Sequence, residues 1–378
     1  VIRLFVKDKQ TYFFYLAIGV LVLGTSVGWY SNQIMPDFFA PVLILSWVWI
    51  LFQNNTSTAK KILIWIIFII ANCTPFSHLF LSTLLFLLLL LFQIPFSQKH
   101  LFFKLHFQRK RIFSLLFLVV FSWILLPSLH ATFGGGFKLS KGSHVFLVAN
   151  LNEKGILKLI LDKHCESGEL VGCTLCEEKD DLPVNIDNFI WAGEFLERHG
   201  GWHNSKEQFD KIISISLKEP KFLISNIYYS AIFGLSQLPQ IETGEGLSSY
   251  AEHSAPYGQV HWRFNRELNA YLNSKQNEYG GVGLNFDTIN IFHISLVLLS
   301  ILFLFFLTQK STLYNIPKAH ISVIHFVIIG ILCNSFITAG LSAPYSRYQS
   351  RVIWLIPLIA LILFWVHRKK LLNSKTNQ

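Results

Sequence analysis

The chain has 378 residues, 52% of them hydrophobic and 14% charged, with a formal net charge of +10. Charged residues make up about a quarter of an ordinary soluble protein, so a single water-soluble domain is excluded. Residues 129–287 hold 20 of the 22 acids beside 14 Lys+Arg, while the remainder holds 18 Lys+Arg beside two acids. That division excludes a basic nucleic-acid-binding surface and points to two compartments separated by a membrane.

Apolar runs such as 79–92 (LFLSTLLFLLLLLF) cannot be the core of a domain this size. As helices, roughly 20 apolar residues cross a ~30 Å hydrocarbon slab. The expected spans are 12–30, 37–53, 61–77, 78–95, 112–128, 288–307, 319–341 and 352–367. The third ends in Asn72-Cys73-Thr74-Pro75 and should pair with the fourth as a tight hairpin. Pro36 and Pro41 sit in the first turns of the second, where helices tolerate proline. The first apolar run is not followed by a small-residue cleavage site, so it does not read as a secretory signal.

Lysines and arginines set the orientation. Arg3, Lys7, Lys9, Lys60, Lys61, Lys99, Lys104, Arg109, Lys110, Arg111, Lys310, Lys318, Arg368, Lys369, Lys370 and Lys375 all fall on one side. Only Arg347 and Arg351 fall in short loops on the other. The expected architecture is an α-helical polytopic membrane protein of a bacterial inner membrane, with both termini cytoplasmic. Its layout is a five-span membrane domain (1–128), an extracytoplasmic domain (129–287) and a three-span membrane domain (288–378).

The outer stretch leaves the fifth span through Gly134-Gly135-Gly136, a flexible exit. Apolar residues three and four apart predict helices over 143–151, 156–164, 187–199, 206–217, 220–235 and 260–272. Residues 242–256 are rich in Gly and Ser and read as a loop. Cys165, Cys173 and Cys176 lie on the oxidising side, so one disulfide is expected, Cys165–Cys176 or Cys165–Cys173, with Cys173–Cys176 shorter and more strained. A zinc or redox role for this group lacks four ligands at standard spacing and a preceding thioredoxin-like strand. No metal or cofactor is called for.

Candidate chemistry gathers at the outer ends of the spans. Residues 342–351 (SAPYSRYQSR) place Arg347 and Arg351 at i and i+4, on one helix face. Arginine forks match phosphate oxygens, so the pair fits a clamp on a lipid phosphate, or else it pairs with acids of the outer domain or with headgroups. Tyr345 and Tyr348 are interfacial anchors in either case. Asp37 is an acid at the lip of a span and His78 opens the fourth; both are candidates beside plainer roles as a helix cap and a packed ring. Glu194, Glu197, His199 and His203 follow no HExxH-like spacing, and Ser143 lacks the GxSxG elbow.

Gln33-Ile34-Met35-Pro36-Asp37, Gly142-Ser143-His144-Val145-Phe146-Leu147, His164-Cys165, Leu175-Cys176, Lys179-Asp180-Asp181-Leu182-Pro183 and Arg347-Tyr348-Gln349-Ser350-Arg351 are short motifs scattered over most of the chain. With these motifs the chain resembles a group of largely uncharacterised bacterial inner-membrane proteins. More loosely it is similar to the GT-C class of polytopic glycosyltransferases, which use polyprenyl-phosphate-linked sugars on the outer face. That similarity implies Asp37 as the catalytic carboxylate, with Arg347, Arg351, Tyr348 and His78 around a lipid-linked sugar donor. The class has a longer first outer loop than this sequence holds. The chain begins with Val1, so either a non-standard start codon was read literally or upstream residues are missing. The alternative is a non-enzymatic envelope assembly or transport component whose outer domain binds a protein partner around Trp191 and Trp202. A transporter fits less well, because the spans lack buried charges and Gly/Pro-broken pairs.

Overall fold

The structure is a computed structural model that describes residues 11–33, 35–53, 56–93, 105–106, 108–191, 194–247, 255–277 and 284–373. Arg3, Lys7, Lys9, Lys99, Lys104 and Lys375 lie outside the described residues, as do Ile34 and residues 94–95, 192–193 and 248–254. Among the described residues every regular element is helical and no strand occurs.

Along the chain, α1 (Thr11–Gly24) and α2 (Val27–Tyr30) precede a 3-10 turn (Pro36–Phe38) and α3 (Phe39–Phe52). Next come α4 (Thr58–Cys73), α5 (Phe76–Leu91) and α6 (Lys110–Thr132). The acidic stretch contributes α7 (Ser143–Glu153), α8 (Ile156–Glu166), α9 (Ile186–Ile190), α10 (Phe195–Arg198), α11 (Gly201–Asn204), α12 (Lys206–Lys218) and α13 (Pro220–Gln237). It continues with α14 (Ala255–Arg263) and α15 (Leu268–Leu272). The chain closes with α16 (Asp287–Gln309), α17 (Lys318–Leu341), α18 (Ser346–Ile353) and α19 (Leu355–Asn373).

Among the described residues, four stretches are long and apolar enough to cross a membrane: α6, α16, α17 and the run Ser346–Arg368. A fifth is present if α4 and α5, bent by 118° at Thr74-Pro75, count as one span. α1 and α3 are apolar but shorter. The expected first span is interrupted at Thr25-Ser26, between α1 and α2, where the Thr25 hydroxyl and backbone N–H both donate to the Leu21 carbonyl (2.6 and 3.0 Å). Two helices expected in the outer stretch are also broken. Residues 187–199 divide into α9 and α10, and 260–272 divides at Phe264, where the backbone leaves the helical region.

The chain forms two compact units, Met35–Pro239 with Pro317–Pro344, and Ile2–Ile34 with Gln240–Ile316 and Tyr345–Gln378. In the first unit, buried Trp47 of α3 lies between Phe68 of α4 and Phe326 of α17, with ring centroids 5.8 and 5.9 Å away. Ser82 of α5 donates to Asn72 Oδ1 (2.7 Å), a polar contact buried between these apolar helices.

In the same unit α7 and α8 meet at Gly155, whose φ of +68° suits glycine. Their buried faces carry Val145, Val148, Leu157, Ile160 and Leu161, and Phe189, Phe195 and Phe209 extend that core through α9, α10 and α12. Cys165 and Cys176 form the disulfide. Cys173 is a buried thiol pushed up by that burial.

α13 runs along α17. The Ser335 hydroxyl donates to the Gly234 carbonyl at 2.6 Å, and Gly340 of α17 faces Ser230 of α13. The second unit packs α1 and α16 against α19, with Phe13 stacked on Trp365 at 4.6 Å.

Candidate functional site

The sequence-predicted residues fall into two groups. In the second unit, α18 carries Arg347 and Arg351 on one face, as their spacing requires. Arg347 is engaged with an acid: its backbone N–H donates to Glu245 Oε2 (3.1 Å) and its Nη1 lies 3.5 Å from Glu245 Oε1. Its guanidinium sits over Tyr345 and Tyr348, at 4.3 and 5.2 Å from the ring centroids. Arg351 is 1% exposed; its Nη2 donates to Gln33 Oε1 (3.1 Å) and its guanidinium lies 5.0 Å from the Tyr30 ring centre.

The segment beside them is pinned from both sides. Tyr30 Oη donates to the Glu245 carbonyl (3.1 Å), Gln33 Nε2 to the Gly246 carbonyl (2.6 Å), and Ser350 Oγ bonds the Ile241 and Glu242 carbonyls. Three segments distant in sequence are therefore locked around two guanidinium groups. Stacking and charge-assisted hydrogen bonds hold the groups in place.

Asp37 and His78 belong to the first unit. Asp37 is half-buried in the 3-10 turn that opens α3. His78 is buried in the first turn of α5, with Nδ1 2.6 Å from the Ala71 carbonyl, and the Asp37 charge acts on its ring. The carboxylate and the arginines thus sit in different units.

Also in the first unit, Lys154 ends α7 and is 5% exposed. Its Nζ has four neighbours: Asn150 Oδ1 (2.7 Å), Asn226 Oδ1 (2.6 Å), Ser230 Oγ (2.8 Å) and the Gly340 carbonyl (2.8 Å). Among the described residues no carboxylate lies within 4 Å of Nζ. Burial alone lowers its pKa to about 8. The group joins α7, α13 and the last turn of α17, where a helix favours positive charge. Asn150 Nδ2 donates to the Ser342 carbonyl beside it.

Asn150, Asn226 and Ser230 also line a cavity of about 660 Å³. Its remaining wall is almost wholly apolar, with Leu84 and Leu88 from α5, Ile329 and Phe336 from α17, and Ile227 from α13. The volume lies within the usual range for ligand pockets. Sequence reading missed this place, because Asn152-Glu153-Lys154-Gly155 looks like a solvated helix end. The available signal was Asn150 and Lys154, four apart at the end of an otherwise apolar helix.

One further cluster offers metal-ligand atoms within 4.8 Å of one another: His164, Glu169 and Glu219. The imidazole is sandwiched, with Nδ1 bonded to Glu169 and Nε2 2.7 Å from Glu219 Oε1. The two carboxylates thus face opposite nitrogens of one ring. Lys163 Nζ reaches Glu219 Oε2 at 2.7 Å, and that hydrogen bond lowers the carboxyl pKa. On α7 and beyond, Phe146, Trp191 and Trp202 form an aromatic plate with centroid separations of 5.5–6.3 Å.

His144 and His199 of the acidic stretch are both held below the ordinary 6.5 by burial. The unfolded chain then binds more protons than the folded one as pH falls. Stability is full above about pH 6.5 and declines below it. Melting of the purified protein should move to lower temperature between pH 7.5 and 5. His199→Gln, which keeps a partner for Thr174 (2.7 Å from Nδ1), should flatten part of that slope.

No protein family, curated protein or solved structure matches the chain.

Proposed function

We propose that this is a multi-pass bacterial inner-membrane protein that takes a lipid-anchored substrate at the outer face. The supporting observation is the cavity beside Lys154. Its carbon-lined wall lies on α5 and α17, apolar helices that would face acyl chains, and three polar side chains gather beside the buried ammonium. A lipid chain needs a dry apolar slot and a polar place for its head, and this cavity supplies both. In the full arrangement α1 with α2, α3, α4 and α5 each cross as well, making eight spans with both termini cytoplasmic and the acidic stretch outside.

The enzymatic form is a GT-C-like glycosyltransferase drawing on a polyprenyl-phosphate sugar. Asp37 would serve the acceptor, His78 would sit at the same lip, and Arg347, Arg351 and Tyr348 would receive the phosphate. Arg347 would have to exchange Glu245 for phosphate. A second, non-enzymatic form is favoured by the plate of Phe146, Trp191 and Trp202. Trp191 is 59% exposed and would suit a protein partner.

A diazirine-bearing lipid, photolysed in vesicles containing the full chain, tests the cavity. The expected crosslinks map to peptides of α5, α13 and α17, and Ala231→Trp, which fills the slot, should suppress them at least fivefold. Crosslinks spread evenly over all apolar helices and indifferent to Ala231→Trp would overturn the proposal. For the enzymatic form, Arg351→Ala and Asp37→Asn should abolish the glycan product while insertion persists. Normal envelope glycan in both variants would shift the weight to partner binding, tested by Trp191→Ala.

A further inference from the structure

We infer that Ser230 and Lys154 form a nucleophile–base pair that cleaves or transfers the acyl group of a lipid ester held in the adjoining cavity. The substrate class rests on the lipid-handling proposal above; the chemistry rests on the geometry at Nζ.

Four groups lie within hydrogen-bonding distance of Lys154 Nζ, and an ammonium has three hydrogens. Three of those neighbours, the Asn150 and Asn226 Oδ1 atoms and the Gly340 carbonyl, only accept. Ser230 alone carries a proton, so Ser230 alone can donate into the lone pair of a neutral amine. The site is built for both states of the lysine: an ammonium donates to the accepting oxygens, and an amine takes the Ser230 hydroxyl proton across 2.8 Å. Burial places the two states near balance at neutral to mildly alkaline pH. No charged group of α7, α13 or α17 enters that balance; desolvation is its single cause.

Ser230 is placed to act on a ligand. It lines the apolar cavity, unlike a hydroxyl buried purely for packing. Asn226, one turn earlier on the same face of α13, lines it too, with its Oδ1 on the same ammonium. Gly340 lets the two helices close at this point: a Cβ there would lie 3.3 Å from Ser230 Cβ and 3.5 Å from its Oγ.

The chemistry balances with the acyl lipid alone and water. Ser230 Oγ forms a bond to the ester carbonyl carbon while its proton passes to Lys154 Nζ, and the carbonyl π pair moves to oxygen. The carbon–oxygen bond to the lipid alcohol then breaks, and that oxygen takes the proton back from Lys154. The acyl-Ser230 ester is released by water, or by an acceptor alcohol, through the same steps reversed. Nucleophile activation by a desolvated lysine is the role such a low pKa permits.

The test is phosphonylation of the full-length protein in lipid nanodiscs by a methyl and by a hexadecyl fluorophosphonate, read by peptide mass. The expected result is a phosphonate on Ser230, formed faster by the hexadecyl probe, with a rate that rises through pH 8. Ser230→Ala should remove it, and Lys154→Arg, which keeps the charge but cannot act as base, should slow it at least 100-fold. Equal rates with the two probes would overturn the lipid cavity and leave the pair standing. Absence of a Ser230 adduct with either probe, or a wild-type rate indifferent to pH between 6 and 9, would overturn the pair. The wild-type pH profile decides the case even if Lys154→Arg misfolds.

Discussion

Gly234→Ala should loosen α13 from α17 and cost about 1–3 kcal/mol, the usual penalty for overpacking a closed contact. A Cβ at Gly234 would lie 2.2, 2.7 and 2.8 Å from three ring atoms of Phe336, closer than real Cβ atoms come. The ring cannot slide away at no cost, because Ser335 beside it bonds the Gly234 carbonyl and fixes the register of the two helices. Gly234 is buried, so no solvent gap absorbs the methyl. Ser230 lies one turn before Gly234 on the same face, and any retreat of α13 draws it away from Lys154. The same substitution should therefore weaken both the fold and the Ser230 chemistry.

Two controls separate this close contact from helix propensity. Gly19→Ala in α1 meets nothing within 4 Å and should be neutral or slightly stabilising. Gly234→Ala combined with Phe336→Leu gives the methyl room and should recover most of the loss. Thermal unfolding in one detergent, followed for all three variants, reads the result. A Gly234→Ala protein as stable as wild type would mean the two helices are not packed as described.

The packing of α13 on α17 shows where sequence reasoning stops. Asn226, Tyr228, Tyr229 and Ser230 interrupt its apolar run, so no window reaches membrane hydropathy and the segment reads as soluble. Its packing depends instead on Ser230 and Gly234, small residues four apart that let backbones approach. That pattern was present in the chain, but its partner lies about a hundred residues away. The long apolar helices were legible because span length follows from hydrocarbon thickness and needs no partner. Arg347 and Arg351 were legible as a pair on one helix face, since the 3.6-residue period fixes it. Glu245, Gln33 and Tyr30 around them were not, because nothing local selects a contact across 102 or 318 residues. Lys154 was least visible of all. A lysine at a helix end is normally solvated, and only the closure of two other helices over it removes the water.

Cys165→Ser/Cys176→Ser should cost about 3 kcal/mol in the helices of the acidic stretch, the loop-closure value for a short disulfide ring. The bond spans 11 residues and ties the end of α8 to the Thr174–Cys176 turn; Leu175 of that turn and Leu170 before it are buried. Without it, His164 and its bonds to Glu169 and Glu219 rest on a segment free to unwind. Hydrogen exchange should rise first over residues 164–183 and spread into α8. Cys173 does not substitute for a lost partner: burial raises its thiol pKa and leaves little thiolate for exchange. The same bond reports topology, since such disulfides persist on the oxidising side of the membrane. Alkylation of the denatured, unreduced protein taken from cells should modify the three free thiols, Cys73, Cys173 and Cys333, and reach all five only after reduction. Five modified cysteines without reduction would place residues 129–287 in the cytoplasm, and the outward lipid-handling proposal would fall with them.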